Sequence, residues 1–209
     1  MGKRTVTVTG TGRAAVVPDV VRLDLRIGHD APDVAAALAG AAAGITAVGT
    51  VVREQGVADA DIRTRDAGVN QRWDNTGVAV GFTAQQSLSV TVRDVAAVGR
   101  ILESAAAAVG NALLVDQVRL DVADRSAGLL QARDAAFAEA KAKAEQYAAL
   151  SGAVLGVVLG VAEAGAAPMA AGGFKLAAMA RDMAGGMPVE AGDLEITTSV
   201  TVSWELRRP

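Results

Sequence analysis

Val8-Thr9-Gly10-Thr11-Gly12-Arg13-Ala14-Ala15 is the first stretch whose residue types and spacing suggest chemistry. It fits G-x-G-x-x-A, the pattern in which glycines let a pyrophosphate approach the backbone. That chemistry needs a helix N-terminus directly after the glycines. Here Pro18 and an alternating strand from Val20 follow, so the glycines read as a bend between two strands and no cofactor is expected. The single histidine, His29, stands beside Asp30 at the end of that strand. A lone imidazole titrates near neutrality. Acid–base or nucleophilic work also needs a positioned partner, and none is visible, so His29 reads as a surface residue. Cysteine is absent, which excludes disulfides, thiol catalysis and thiolate metal sites. Carboxylates stand at Asp19, Asp24, Asp66, Asp116, Asp121 and Asp124, and read as exposed or turn residues. Arg63, Arg65 and Arg72 form a basic stretch on one long strand, which reads as a solvated edge. No catalytic, cofactor-binding or metal-binding residue is assigned, and the protein is expected not to be an enzyme.

The elements that position these residues follow from pattern. The chain has 209 residues, 51% hydrophobic and 21% charged, enough apolar material for a packed core. Aromatics are only 3%, so the core must be built from Ala, Val, Leu and Ile. A net charge of −3 argues against nucleic acid held by a broad basic surface. Thr5–Thr11 alternates Thr with Val or Gly, and Val21, Leu23, Leu25 and Ile27 alternate with Arg22, Asp24 and Arg26. Both are period-2 strands. Ile62–Trp73 and Val78–Arg93 flank the turn Asp74-Asn75-Thr76-Gly77. Val118–Val122 and Val154–Ala162 are strand-like, and a strand from Leu194 alternates cleanly to Leu206.

Three helices complete the pattern. One opens at Pro32-Asp33, stops at Gly56 and carries a stripe of Val34, Leu38, Ile45, Val48 and Val52. Its uncharged run Val34–Val52 imitates a membrane span, but its alanines, glycines and threonines suit a core helix on a sheet, and no integral span is expected. The second runs over 94–109, with Val95, Val98, Leu102 and Ala105 inward. The third starts with Ser126 as N-cap and ends before Gly152, with Leu130, Phe137, Ala140, Ala144 and Tyr147 lining its buried side and a Glu139–Lys143 pair on its wet side. The order ββα-ββα-βα-ββ predicts an α+β fold, antiparallel sheets with helices packed on one face. The twice-occurring ββα order hints at two small subdomains, with a boundary near 110–116 inside one domain spanning 1–209.

Residues 164–192 form a Gly-, Ala- and Met-rich insertion. Unbranched thioethers fit irregular interfaces. Met169, Phe174, Met179, Met183 and Met187 are therefore the candidate interface residues, and a homo-oligomer is the simplest assembly. No 7–15-residue apolar leader run follows Met1-Gly2-Lys3-Arg4. As it stands the sequence reads as cytoplasmic; an envelope or periplasmic place follows if a leader preceded it.

Several ordered pieces together resemble the SIMPL-domain family. They are Val6–Gly12 with Pro18-Asp19, Ile62-Arg63-Thr64, and Gly81-Phe82-Thr83-Ala84. Gln131-Ala132-Arg133, Ala140–Ala144, Leu150-x-Gly152-x-x-Leu155-Gly156 and the last alternating strand follow. Phe82 stands where the family usually has Tyr, so any role of that hydroxyl is absent. The resemblance implies an α+β fold without an established enzymatic activity or agreed catalytic motif. It implies exported bacterial envelope proteins, some linked to oxidative-stress tolerance, and a mammalian signalling adaptor that binds a kinase. The function expected from both lines is a non-enzymatic, self-assembling binding or scaffold protein. The alternative is a small-molecule-binding or enzymatic domain with an Arg- and Asp-lined pocket between sheet and helices.

Overall fold

The computed structural model describes residues 4–164 and 192–209. The strands are β1 (Thr5–Val16), β2 (Val20–Ala31), β3 (Ile62–Trp73), β4 (Ala79–Val92), β5 (Leu113–Asp121), β6 (Val154–Ala164) and β7 (Leu194–Arg207). The helices are α1 (Val34–Glu54), α2 (Val98–Val109) and α3 (Ser126–Leu150). The fold is α+β, with two antiparallel sheets ordered β1-β7-β6 and β3-β4-β2-β5. Each sheet belongs to its own compact unit, and the chain changes unit at Val17/Pro18 and Asp121/Val122. The 110–116 stretch lies inside the second unit, where Gly110–Ala112 is a 3-10 turn and Leu113 begins β5. The repeated ββα order is not a repeated fold: β3 and β4 form a hairpin, whereas β1 and β2 enter different sheets.

In the four-stranded unit, alternation on β2 works as the pattern demands. Val21, Leu23, Leu25 and Ile27 are fully buried and join Leu88, Val90 and Val92 of β4 beneath α1 and α2. Asp33 starts α1 by accepting from the Ala36 N–H at 2.8 Å. Helix α1 is long and apolar enough to cross a membrane by length and composition, yet it packs on β2 and β4. It buries Ala37, Ala41, Ile45, Val48, Gly49 and Val52, while Val34 and Leu38 stay exposed. The β3–β4 turn is held by one carboxylate: Asp74 accepts from the N–H groups of Thr76 and Val78 and from the Thr76 hydroxyl. These bonds hold its pKa below the usual carboxylate value.

In the three-stranded unit the expectation for α3 is corrected. Its buried stripe is Gly128, Ala132, Ala136, Ala140, Ala144 and Ala148, while Leu130, Phe137 and Tyr147 are exposed. The reason lies in β1. Gly10 and Gly12 are not a bend but lie inside the strand under α3. A Cβ at Gly10 would sit 2.5 Å from the Ala140 nitrogen, and one at Gly12 would sit 2.9 Å from the Ala132 carbonyl carbon. Helix α3 approaches β1 so closely that only small residues fit between them, while the larger Val200, Val202 and Trp204 of β7 fill the space against its alanines and Leu130, Phe137 and Tyr147 go to the flanks. Ser126 is not the N-cap either; Asp124 reaches its N–H at 2.9 Å. On the face away from α3, hydroxyls pair across β1 and β7: Thr7 with Ser203 at 2.8 Å, Thr9 with Thr201 at 2.9 Å and Thr11 with Ser199 at 3.1 Å.

Candidate functional site: open sheet edges and a charged sheet face

Met169, Phe174, Met179, Met183 and Met187 lie outside the described residues. Two other surfaces carry the chemistry.

The first is formed by the two edges of the three-stranded sheet. A strand edge presents unpaired N–H and C=O groups and invites pairing. On β1 the odd-numbered residues aim these groups outward, because Arg4 and its even-numbered successors bond to β7. Helix α3 caps this edge. Glu139 accepts from the Thr11 N–H, and the Lys143 ammonium donates to the Thr9 carbonyl at 3.0 Å. The two caps also pair with each other at 3.1 Å. The Thr11 N–H beside Glu139, and then Lys143, lower the carboxyl's pKa. The sequence shows this i,i+4 pair only as a helix-surface contact; the cap on another element appears in three dimensions.

The opposite edge, β6, carries exposed Val154, Val157, Val158, Leu159 and Val161. The apolar surface continues onto α3. Val158 neighbours Trp204 across β6 and β7, and the Trp204 ring lies 6.0 Å from Phe137. At the far end of β6, Glu163 accepts from Arg133 of α3 at 2.9 Å and from Thr198 at 3.1 Å, with its pKa lowered by those bonds. A strand edge with exposed apolar side chains is the kind of surface on which another strand can pair.

The second surface is the face of the four-stranded sheet opposite α1 and α2. It gathers the arginines and aspartates that the sequence leaves scattered. Asp24, on the central strand β2, is only 7% exposed. Arg65 approaches its carboxylate at 3.2 Å from one side and Arg119 at 3.5 Å from the other. Arg22 pairs with Asp121, and Arg26 pairs with Asp116 at 2.6 Å. Arg72 pairs with Asp30 at 2.6 Å, and the Thr83 hydroxyl donates to Asp30 at 2.5 Å.

Bulges aim this cluster. The β3–β4 register shifts between Thr64 and Asp66, and the β2–β5 register shifts at Asp24/Leu25, opposite Val115 and Gln117. Arg65 and Asp116 are the residues displaced, and both turn toward β2. Bulges re-aim side chains in this way beside functional surfaces. Among the described residues, Arg63 has no carboxylate within 4.0 Å, and no three His, Asp or Glu side chains gather as metal ligands. His29 lies on the opposite face, its ring against Gly40 of α1.

The Arg- and Asp-lined pocket expected between sheet and helices takes another form. The groove beside α3, of about 700 Å³, is lined by Thr7, Val8, Lys143, Tyr147 and Ser151. The arginines and aspartates stand on the face opposite α1 and α2, which no described helix covers. One signal for this was present in the sequence, in Arg22, Asp24 and Arg26 alternating with buried apolar residues. The bulges that bring Arg65 and Asp116 to them leave no mark in it.

Sequence similarity to known proteins extends over nearly the whole chain. The 26 kDa periplasmic immunogenic protein of Brucella melitensis biotype 1 is 29% identical, the alignment covering 97% of this chain and 84% of the relative. Its counterpart in Brucella abortus strain S19 matches with the same identity and coverage. The family model described as "SIMPL: Protein of unknown function (DUF541)" matches residues 6–204. Since that match spans nearly the whole chain, the chain belongs to the SIMPL family.

Proposed function

We propose that this protein is a non-enzymatic, self-assembling binding or scaffold protein of the cell envelope. The observation that carries the assembly reading is the contrast between its two sheet edges. The β1 edge is capped by Glu139 and Lys143. Among the described residues, no side chain caps the β6 edge along its exposed apolar stretch, which exposed Phe137 flanks. A protein that blocks one edge and leaves the other apolar has an edge to share. A second copy supplies the matching strand, and self-pairing of β6 about a two-fold axis closes the contact without leading to filaments. The envelope location is supported by the relatives, which are named as periplasmic proteins; the cytoplasmic reading has no such support. The non-enzymatic reading rests on the inventory of one His and no Cys, and on arginines and aspartates that neutralise each other.

The test is light scattering and native mass spectrometry of the wild type and of Val157→Lys/Val161→Lys. Both side chains are exposed, so the variant keeps the monomer fold, checked by circular dichroism. The expected result is a wild-type dimer or larger assembly that drops to a smaller species in the variant. A wild-type monomer across the accessible concentrations, or an unchanged mass in the variant, overturns the proposal.

A further inference from the structure

We infer that the first residues of β1 and the groove beside α3 take up the carboxyl-terminal end of another protein, laid antiparallel along β1 as an added strand. This goes beyond the sharing of β6 proposed above and uses the opposite edge of the same sheet.

The caps on β1 cover only part of its edge. Lys143 holds the Thr9 carbonyl, and Glu139 holds the Thr11 N–H. On the N-terminal side of these caps, the outward N–H and C=O groups of Thr5 and Thr7 meet no strand, side chain or turn among the described residues. They lie along the groove of about 700 Å³, whose walls are β1 and the side of α3 that carries Lys143 and Tyr147. Sheet edges bind extended peptides through such backbone groups, while pockets for alternate side chains choose among them. An antiparallel strand opposite Thr5 and Thr7 closes two rings of paired hydrogen bonds. The Lys143 contact with Thr9 ends the ladder there. The slot therefore fits a short segment and not a strand running the length of β1.

Alternation fixes which side chain enters the groove. Val6 and Val8 turn toward the alanines of α3, so residues of the added strand opposite them turn the same way. The one opposite Val6 lies between Val6, Leu206 and the exposed Tyr147 ring, which favours an apolar side chain. Charge fixes the direction. Arg4 accepts at its carbonyl from the Leu206 N–H at 2.8 Å, and its position places it on the same face as Val6. Arg208 follows Leu206 by two residues. Among the described residues, neither arginine has an anionic partner within 4.0 Å, and the nearby Glu205 is taken up by Arg207 at 2.9 Å. At the Thr9 end, Lys143 is already matched by Glu139 at 3.1 Å. The groove is thus basic where β1 begins and neutral where the caps stand. An antiparallel strand brings its carboxylate to the basic end, whereas a parallel one would bring an ammonium group there. With the last residue opposite Arg4, the apolar side chain opposite Val6 belongs to the residue two positions before it.

The experiment selects from a library of random heptapeptides displayed with free carboxyl ends, with the full chain as bait. The enriched sequence is then synthesised as the acid and as the amide. Fluorescence polarisation gives the affinities, and amide hydrogen exchange read by NMR gives the place. The expected result is an apolar residue enriched two positions before the end and an acid that binds at least tenfold tighter than the amide. Exchange of the Thr5 and Thr7 amides slows on binding, and that of Val157 and Val161 does not. Arg4→Glu, an exposed change that keeps the fold, abolishes the preference for the acid. Thr7→Pro removes an outward N–H at a sheet edge, where proline is tolerated, and weakens binding tenfold or more. Circular dichroism checks both variants. Failure to enrich any peptide overturns the inference, as do equal binding of acid and amide and a bound peptide that leaves Thr5 and Thr7 unprotected. Protection of Val157 and Val161 instead puts the peptide on β6 and overturns it too. Thr5 and Thr7 amides that become protected with rising protein concentration alone show that a second copy fills the slot, which also overturns it.

Discussion

Gly12→Ala puts local preference and tertiary packing in direct opposition. On strand preference alone, replacing glycine by alanine inside β1 should stabilise by roughly 0.5–1 kcal/mol. The structure predicts the reverse. The new methyl would fall on backbone atoms of Ala132 and Ala136, well inside the 3.0 Å that Cβ atoms essentially never breach. Backbone of a packed helix cannot rotate aside as a side chain can, so α3 must lift by about 1 Å. Overpacking of this kind costs about 1–3 kcal/mol. The lift also loosens the stripe Ala132, Ala136, Ala140, Ala144 and Ala148. At about 0.8 kcal/mol per buried methyl-sized group the stripe is worth about 4 kcal/mol. A gap of 0.5–1 Å forfeits about a quarter to a half of that, or about 1–2 kcal/mol. The total is a loss of about 2–5 kcal/mol, a large part of a typical domain's stability of about 5–15 kcal/mol. The assay is urea unfolding followed by Trp204, which is buried in the same unit. With a slope of about 1–3 kcal/mol/M, the midpoint should fall by about 1–3 M. Gly28→Ala is the control, and its open position predicts no loss. A Gly12→Ala midpoint at or above wild type would refute the close helix–sheet contact.

Other outcomes follow from single groups. Glu139 has a lowered pKa in the folded chain, so its cap on β1 is fully present above the ordinary glutamate range and is lost as pH falls through the folded value. Hydrogen exchange of the Thr11 amide, relative to the intrinsic rate, should therefore quicken only below the ordinary glutamate range, and Glu139→Ala should show that quickening already at neutral pH. Asp24→Ala leaves Arg65 and Arg119 without their shared carboxylate and should cost about 1–3 kcal/mol. Arg65→Ala removes a half-exposed partner and should cost less than about 1 kcal/mol. Denaturant titration of the two variants checks that order; equal losses would mean that Asp24 is not the centre of the cluster.

Local residue patterns suffice for the elements and for the α+β class. Alternation on β2 and β7 and the glycine stops after α1, α2 and α3 are local signals, read correctly because each depends on a few neighbouring residues. The Asp74–Gly77 turn and the opening of α1 at Pro32-Asp33 belong to the same kind. Tertiary structure decided what the elements do to one another. Period-2 alternation says that β1 has two faces, but not that its partner is β7 at the far end of the chain, nor that β2 leaves for another sheet. Large apolar residues on α3 read as the buried side, because burial normally rewards size. In the fold, Gly10 and Gly12 draw the helix so close that alanines go inside and Leu130, Phe137 and Tyr147 go out. Glu139 and Lys143 are neighbours on a helix in the sequence, and a cap on a strand edge only once α3 lies along β1. The charged face has the same origin. Arg65 and Asp116 approach Asp24 and Arg26 because bulges displace them, and a bulge is a mismatch between two strands that neither strand's sequence contains alone.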